Sequence, residues 1–129
     1  MRAQATRALR IVPRHGSLPR ARHWVRDHAR RSGIPSAAVG IVELLTSELV
    51  ANALTHGPEA AVDVQVSGDR TSFTVRVTDG DTTPPVVRST GPEVPGGQGM
   101  RLVARLASTW GVDVHERTGK TVWFTVVAR

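Results

Sequence analysis

The stretch Glu43–Gly57, ELLTSELVANALTHG, decides how the rest of the chain is read. Leu44, Leu45, Leu49 and Val50, with Ala51, Ala53 and Leu54 nearby, give it the apolar content of the second half of a long helix. Glu48 and Asn52 are four residues apart and share a face of that helix. A carboxylate and an amide one turn apart on a largely apolar helix are either a site or an ordinary polar edge. Upstream, Ser36 is a suitable N-cap, and downstream Gly57–Pro58 ends the helix after His56. At roughly twenty residues this is the main helix of the chain.

On the N-terminal side, residues 1–3 are expected to fray. Ala5–Pro13 alternates loosely and ends at a proline, as an edge strand does. After a loop at His15–Pro19, a proline in the first turn opens a helix. Its body, Arg20–Ser32, points Ala21, Trp24, Val25, His28 and Ala29 inward and arginines outward, and Gly33 stops it. On the C-terminal side, Ala61–Ser67 and Ser72–Thr78 alternate around Gly68–Asp69 and read as a β-hairpin. Asp79–Gly97 holds four Pro and four Gly, which excludes a regular element. A helix from Gln98 to Thr109 follows, with Met100, Val103, Leu106 and Ala107 inward. Trp110–Glu116 and Thr121–Ala128 close the chain as a hairpin around Arg117–Lys120, with Trp110 and Trp123 packed against the sheet or the helices. The expected fold class is an α/β (α+β) two-layer sandwich. It has three helices on one face of a mixed, mostly antiparallel sheet of about five strands. Residues 1–129 form one domain, because no linker or repeat divides them.

Composition narrows the function classes. The absence of cysteine excludes disulfides, thiolate metal sites and cysteine nucleophiles, and fits the cytoplasm. No apolar run is expected to reach the length of a membrane span. Charge is uneven. Residues 1–31 carry nine Arg against one acid, Asp27, while the remainder carries eight basic and ten acidic groups. No Tyr or Phe is interleaved with those arginines to stack on bases, so the basic end is expected to be solvated or to face a protein rather than nucleic acid. An Arg-rich edge strand and first helix could also form a homodimer interface.

Three segments carry residue types that suit nucleotide chemistry. Glycines in Gly96-Gly97-Gln98-Gly99 would let backbone N–H groups at a helix start approach an anion, which the helix dipole favours. Asp79, at a strand end, can accept a hydrogen bond from an exocyclic amine such as N6 of adenine. Asn52 offers a neutral oxygen to Mg²⁺, and Glu48 could take a proton from an attacking hydroxyl or water. Each feature alone is common in structural roles: a helix edge, a turn aspartate, a helix-entry glycine. His56 suits a helix C-terminus. His15, His23, His28 and His115 show no metal-ligand spacing.

Together and in this order, the motifs resemble a known family. ELLTSELVANALTHG resembles the N-box of the GHKL (Bergerat-fold) ATPases, VTDGD the box with the adenine-binding Asp, GGQGMRLV the glycine box, and GKTVWF the final strand motif. The order and the short length look like the bacterial anti-sigma factor serine/threonine kinases. The resemblance runs from about Leu18 to Val127. It implies ATP and Mg²⁺ as cofactors, Glu48 as general base and Asn52 as metal ligand. It also implies Asp79 as adenine reader, the segment Gly97, Gln98, Gly99 and Met100 around the phosphates, and Thr121 beside Asp79 at the adenine. The partners it implies are a sigma factor and an anti-sigma factor antagonist, whose Ser or Thr receives the γ-phosphate.

The chain departs from the pattern in two places. The usual box is Asp-x-Gly-x-Gly, and here Asp81 and Thr83 stand at the glycine positions. The loop above the site carries Pro84, Pro85, Pro92 and Pro95 and only one cation, Arg88, in place of a Thr/Lys-rich lid. These departures raise an alternative, a nucleotide-binding partner-switch module with little or no kinase activity.

Overall fold

A computed structural model describes residues 6–14, 16–56, 61–80, 97–116 and 118–128. The helix stop at Gly57–Pro58, His15, the segment with Asp81, Thr83, Arg88 and the four prolines, and the side chains of His56 and Gln98 lie outside the described residues. Five strands and three helices are present: β1 Arg7–Ile11, α1 Ser17–Ser32, α2 Ser36–His56, β2 Val62–Gly68, β3 Ser72–Asp79, α3 Gly97–Leu106, β4 Thr109–His115 and β5 Gly119–Val127. The strand order is β1-β2-β3-β5-β4. Each pairing among the described residues is antiparallel. Both expected hairpins form. β5 enters the sheet beside β3, so the last strand is central and β4 becomes an edge.

Alternation along the strands builds the core. Val62, Val64 and Val66 of β2, Phe73, Val75 and Val77 of β3, and Val122, Phe124 and Val126 of β5 are buried on one face. The helices cover that face, with α1 against α2, and α2 against β3, β5 and α3. Helix α1 contributes Ala21, Val25 and Ala29, one every four residues. It begins at Ser17, one residue before the opening expected at Leu18–Pro19, after Gly16 in the left-handed region. Ser17 Oγ donates to the Val12 carbonyl at 2.6 Å. Gly33, at φ 89°, caps the helix by donating its N–H to the Arg30 carbonyl. Arg22 and Arg26 reach Glu43 of α2 at 3.6 and 3.9 Å, contacts long and exposed enough to stabilise by well under about 1 kcal/mol.

Two expectations are corrected, and one is sharpened. Leu106, expected inward, is 39% exposed. The buried residues of α3 are Met100 and Val103, with Leu102 and, just past the helix, Ala107 partly buried against the core. Trp123, expected against the sheet or the helices, packs on the sheet, on its open face. Its ring covers Gly111, and the Arg76 guanidinium stands 5.8 Å from its centroid. Lastly, α2 is long and apolar enough over Ser36–Thr55 to cross a membrane, by length and composition alone. Here 44% of that window is buried inside the domain, where the helix packs against α1, α3, β3 and β5.

Thr46 of α2 is fully buried, and its Oγ1 has no hydrogen-bond partner among the described residues. An unsatisfied buried hydroxyl costs its desolvation without return. Thr46→Val is therefore expected to raise the unfolding free energy by about 1–2 kcal/mol, read as a higher urea midpoint at unchanged slope.

At the β2–β3 turn, Asp69 Oδ1 accepts from Thr71 N, Thr71 Oγ1 and Ser72 N at 2.8, 2.7 and 3.1 Å. These bonds, led by the Thr71 hydroxyl, hold the Asp69 carboxyl below its ordinary 3.8. A depressed folded-state value means that the stabilisation is present above the ordinary carboxylate range and is lost as pH falls through the folded value. Below pH 3.8, wild-type stability is expected to fall more steeply with acid than that of Asp69→Asn, measured by urea unfolding across that range.

Candidate functional site

The site is assembled from α2, the ends of β3 and β5, and the start of α3. On α2, Glu48 and Asn52 are half-buried. Among the described residues, neither side chain has a hydrogen-bond or ion-pair partner. They lie one turn apart on the flank of α2, between the buried stripe that includes Leu45, Leu49 and Ala53 and the exposed residues Leu44 and Thr55. A partly desolvated carboxylate and amide with no partner among the described residues are available to a ligand.

Helix α3 begins at Gly97, so Gly97, Gln98 and Gly99 form its first turn. The N–H groups of a first turn lack intrahelical acceptors, and no acidic residue stands there to satisfy or repel. Met100, the next residue, is 2% exposed and anchors the turn in the core. The helix that would cradle phosphate therefore packs directly on the helix that carries Glu48 and Asn52.

Asp79 is the last residue of β3 and is buried. Its register partner on β5 is Lys120, also buried. The Lys120 ammonium donates to both carboxylate oxygens, at 3.2 Å each. Register partners present their side chains on one face, here the face of Val77, Val122 and α2. The acceptor expected to read a base is thus already bonded to a cation. Sequence reasoning missed Lys120 because a lone lysine before a strand carries no signal. Only the pairing of β3 with β5 shows that it opposes Asp79.

Gly119, just before Lys120, has φ 126°, and a Cβ there would overlap the Asp79 carbonyl. The glycine thus lets β5 close on the end of β3 and sets the pair in place.

Thr121 is placed differently from the expectation. It opposes Thr78, one step from Asp79, and therefore lies on the other sheet face. Its hydroxyl bonds Thr78 Oγ1 at 2.7 Å and His115 Nε2 at 2.9 Å. Glu48, Asn52, Asp79 and the start of α3 belong to the helix side of the sheet, and the Thr121 hydroxyl does not.

The donors suit Mg²⁺. Asn52 and Glu48 offer oxygens that no described residue bonds, and Mg²⁺ is usually held by one or two protein oxygens together with waters and substrate phosphates. Among the described residues no cluster of three or more His, Cys, Asp or Glu forms an all-protein cage.

Comparison with known proteins agrees with this geometry. A family model described as the histidine kinase-like ATPase domain matches residues 11–126. No curated protein matches the chain. Among solved structures, the chain resembles the histidine kinase domain from the Erythrobacter litoralis EL346 blue-light activated histidine kinase, with a TM-score of 0.51 and 23% identity. The alignment covers 87% of this chain and 59% of that one. At that identity the likeness speaks for the fold alone, and the chain spans well under two thirds of that structure's length. The family match runs from the end of β1 to the end of β5 and takes in all three helices; the chain belongs to the histidine kinase-like ATPase domain family, the GHKL or Bergerat-fold ATPases.

Proposed function

We propose that the chain is an ATP-dependent serine/threonine protein kinase that acts as an anti-sigma factor and phosphorylates an anti-sigma factor antagonist. The observation that carries this reading is the half-buried Glu48–Asn52 pair on α2, without a partner among the described residues, on the helix that packs against α3. In this role the first-turn N–H groups of α3 hold the phosphates, and Asn52 Oδ1 would hold Mg²⁺. Bound Mg²⁺ supplies neutralisation of phosphate charge. Glu48 accepts the proton of the attacking Ser or Thr hydroxyl as its oxygen bonds to the γ-phosphorus and the bond from that phosphorus to the β–γ bridging oxygen breaks. ADP leaves with that bridging oxygen.

Partner binding has a matching surface. Arg7, Arg10, Arg14, Arg20, Arg30 and Arg31 of β1, α1 and the link between them are exposed, which suits an acidic protein surface or a second copy of the chain. The reading carries with it a cytoplasmic location.

A second reading keeps nucleotide binding without turnover, a partner switch alone. It is favoured by Asp81 and Thr83 at the usual glycine positions and by a loop with one cation, which would stabilise less γ-phosphate charge. One experiment separates the two. Purified protein is incubated with labelled ATP, Mg²⁺ and the antagonist or sigma factor encoded nearest to it. Label on the antagonist supports the kinase. ATP binding by calorimetry with no label supports the switch. No ATP binding removes both.

A further inference from the structure

Both outer strands of the sheet, β1 and β4, leave one side unpaired among the described residues. An unpaired edge is a template for another strand, and proteins commonly blunt such edges with charge. Strand β1 is blunted, since Arg7 and Arg10 stand exposed on five residues. Strand β4, Thr109–His115, is longer and holds Asp113 but no Lys, Arg or Pro. Its helix-facing side is apolar. Trp110 and Val112 are partly buried against the core, and Val114 is 48% exposed. Leu106, at the end of α3 just before the strand, is 39% exposed. Two of the five large apolar side chains exposed among the described residues thus flank this one edge. On the open face the Trp123 indole lies over Gly111, with Nε1 2.9 Å from where a Cβ would stand. No described residue accepts from that N–H, and none bonds Asp113.

We propose that β4 pairs antiparallel with β4 of a second copy, about a two-fold axis through Val112, so that two five-stranded sheets join into one. With that centre all seven residues of the strand overlap. Val112 lies opposite itself, Trp110 opposite Val114, and Thr109 opposite His115. An aromatic against a β-branched residue is a favourable cross-strand pair. An axis perpendicular to the sheet keeps the helices of both copies on one face and sets the start of one β4 beside the end of the other. Leu106 of each copy is thereby brought to Val114 of the other, which covers both. On the open face Asp113 falls opposite Gly111, where it accepts from the Trp123 indole N–H of the other copy. An axis at Asp113 would set two carboxylates directly opposite, which is destabilising. An axis at Gly111 would set Val114 opposite Ser108, outside the strand. The pairs are self-complementary, as a two-fold interface requires, and this selects a second copy over an unrelated strand. The inference is independent of nucleotide binding and of the arginine surface on β1 and α1.

The test is sedimentation equilibrium of the full chain, read against 13.9 kDa for one copy. Wild type is expected at twice that mass. Val114→Lys, at a site already half exposed, is expected to keep its circular dichroism and to raise the dissociation constant by about tenfold or more. Crosslinking reads the register. The chain has no cysteine, so Val112→Cys carries a single thiol, on a residue whose Cα the axis sets within about 5.5 Å of its copy. A short bis-maleimide is expected to join two copies of Val112→Cys. It is expected not to join His115→Cys, whose two positions lie about 20 Å apart along the joined strands. A wild-type monomer at up to about 100 μM overturns the inference. A dimer that leaves Val112→Cys unjoined overturns it too and moves the contact to another surface, such as the arginine-rich edge. A dimer untouched by Val114→Lys does the same. Wild-type mass and the crosslink decide the question even where Val114→Lys does not fold.

Discussion

Lys120→Met is expected to lower the unfolding free energy by about 3–5 kcal/mol, the range for removing one partner of a buried ion pair. The methionine fills the space of the lysine stem, so packing is largely kept and the effect isolates the charge. What remains is the Asp79 carboxylate, 4% exposed, with its cation removed. Asp79→Asn leaves the complementary fault, an ammonium without its carboxylate, and a loss of about the same size is expected. The double variant Asp79→Asn/Lys120→Met should recover most of either loss, since a buried pair replaced by neutral groups is commonly neutral or better. Urea unfolding of the four proteins closes the cycle. Single variants within about 1 kcal/mol of wild type would show that the pair adds little to stability. Small domains have about 5–15 kcal/mol in total, so a single variant takes a large share of it.

Glu48→Gln is expected to reduce phosphoryl transfer to the antagonist by about 100- to 10,000-fold, the usual contribution of a positioned general base. Glutamine keeps the shape of the side chain and cannot accept the hydroxyl proton. Glu48 has no ion pair or hydrogen bond among the described residues, so the substitution breaks no described contact and ADP affinity should stay within about twofold of wild type. Single-turnover transfer of labelled phosphate, measured beside ADP calorimetry, separates the two effects. Equal transfer rates in variant and wild type would remove Glu48 as the base. Equal loss of binding and transfer would point to a ligand-holding role instead.

How much of this was legible beforehand differs by residue. Helix α2 was readable over Ser36–His56, because apolar content is a local signal; its cap position is held by Pro35, whose carbonyl accepts from the Val39 N–H, and not by Ser36 as expected. Both hairpins were readable from period-two alternation. The Glu48–Asn52 pair was readable as a shared face, since helical geometry places i and i+4 together without help from the rest of the chain.

Other features depended on contacts between segments far apart in sequence. Nothing local says that β5 inserts between β3 and β4, yet that step alone sets Lys120 opposite Asp79 across 41 residues. The same register puts the Thr121 hydroxyl on the far face with Thr78 and His115, because a shift of one residue in a strand exchanges the two faces. Trp123 follows Thr121 by two and points the same way, onto Gly111. Leu106 is exposed because α3 ends there and the chain turns into β4, with the Ser108 N–H donating to the Thr125 carbonyl. The sequence alone determined the elements, the family and the polar face of α2, through periodicity and local chemistry. Tertiary structure alone decided which groups meet at the base end of the site, because strand pairing and register are set by long-range packing of the sheet.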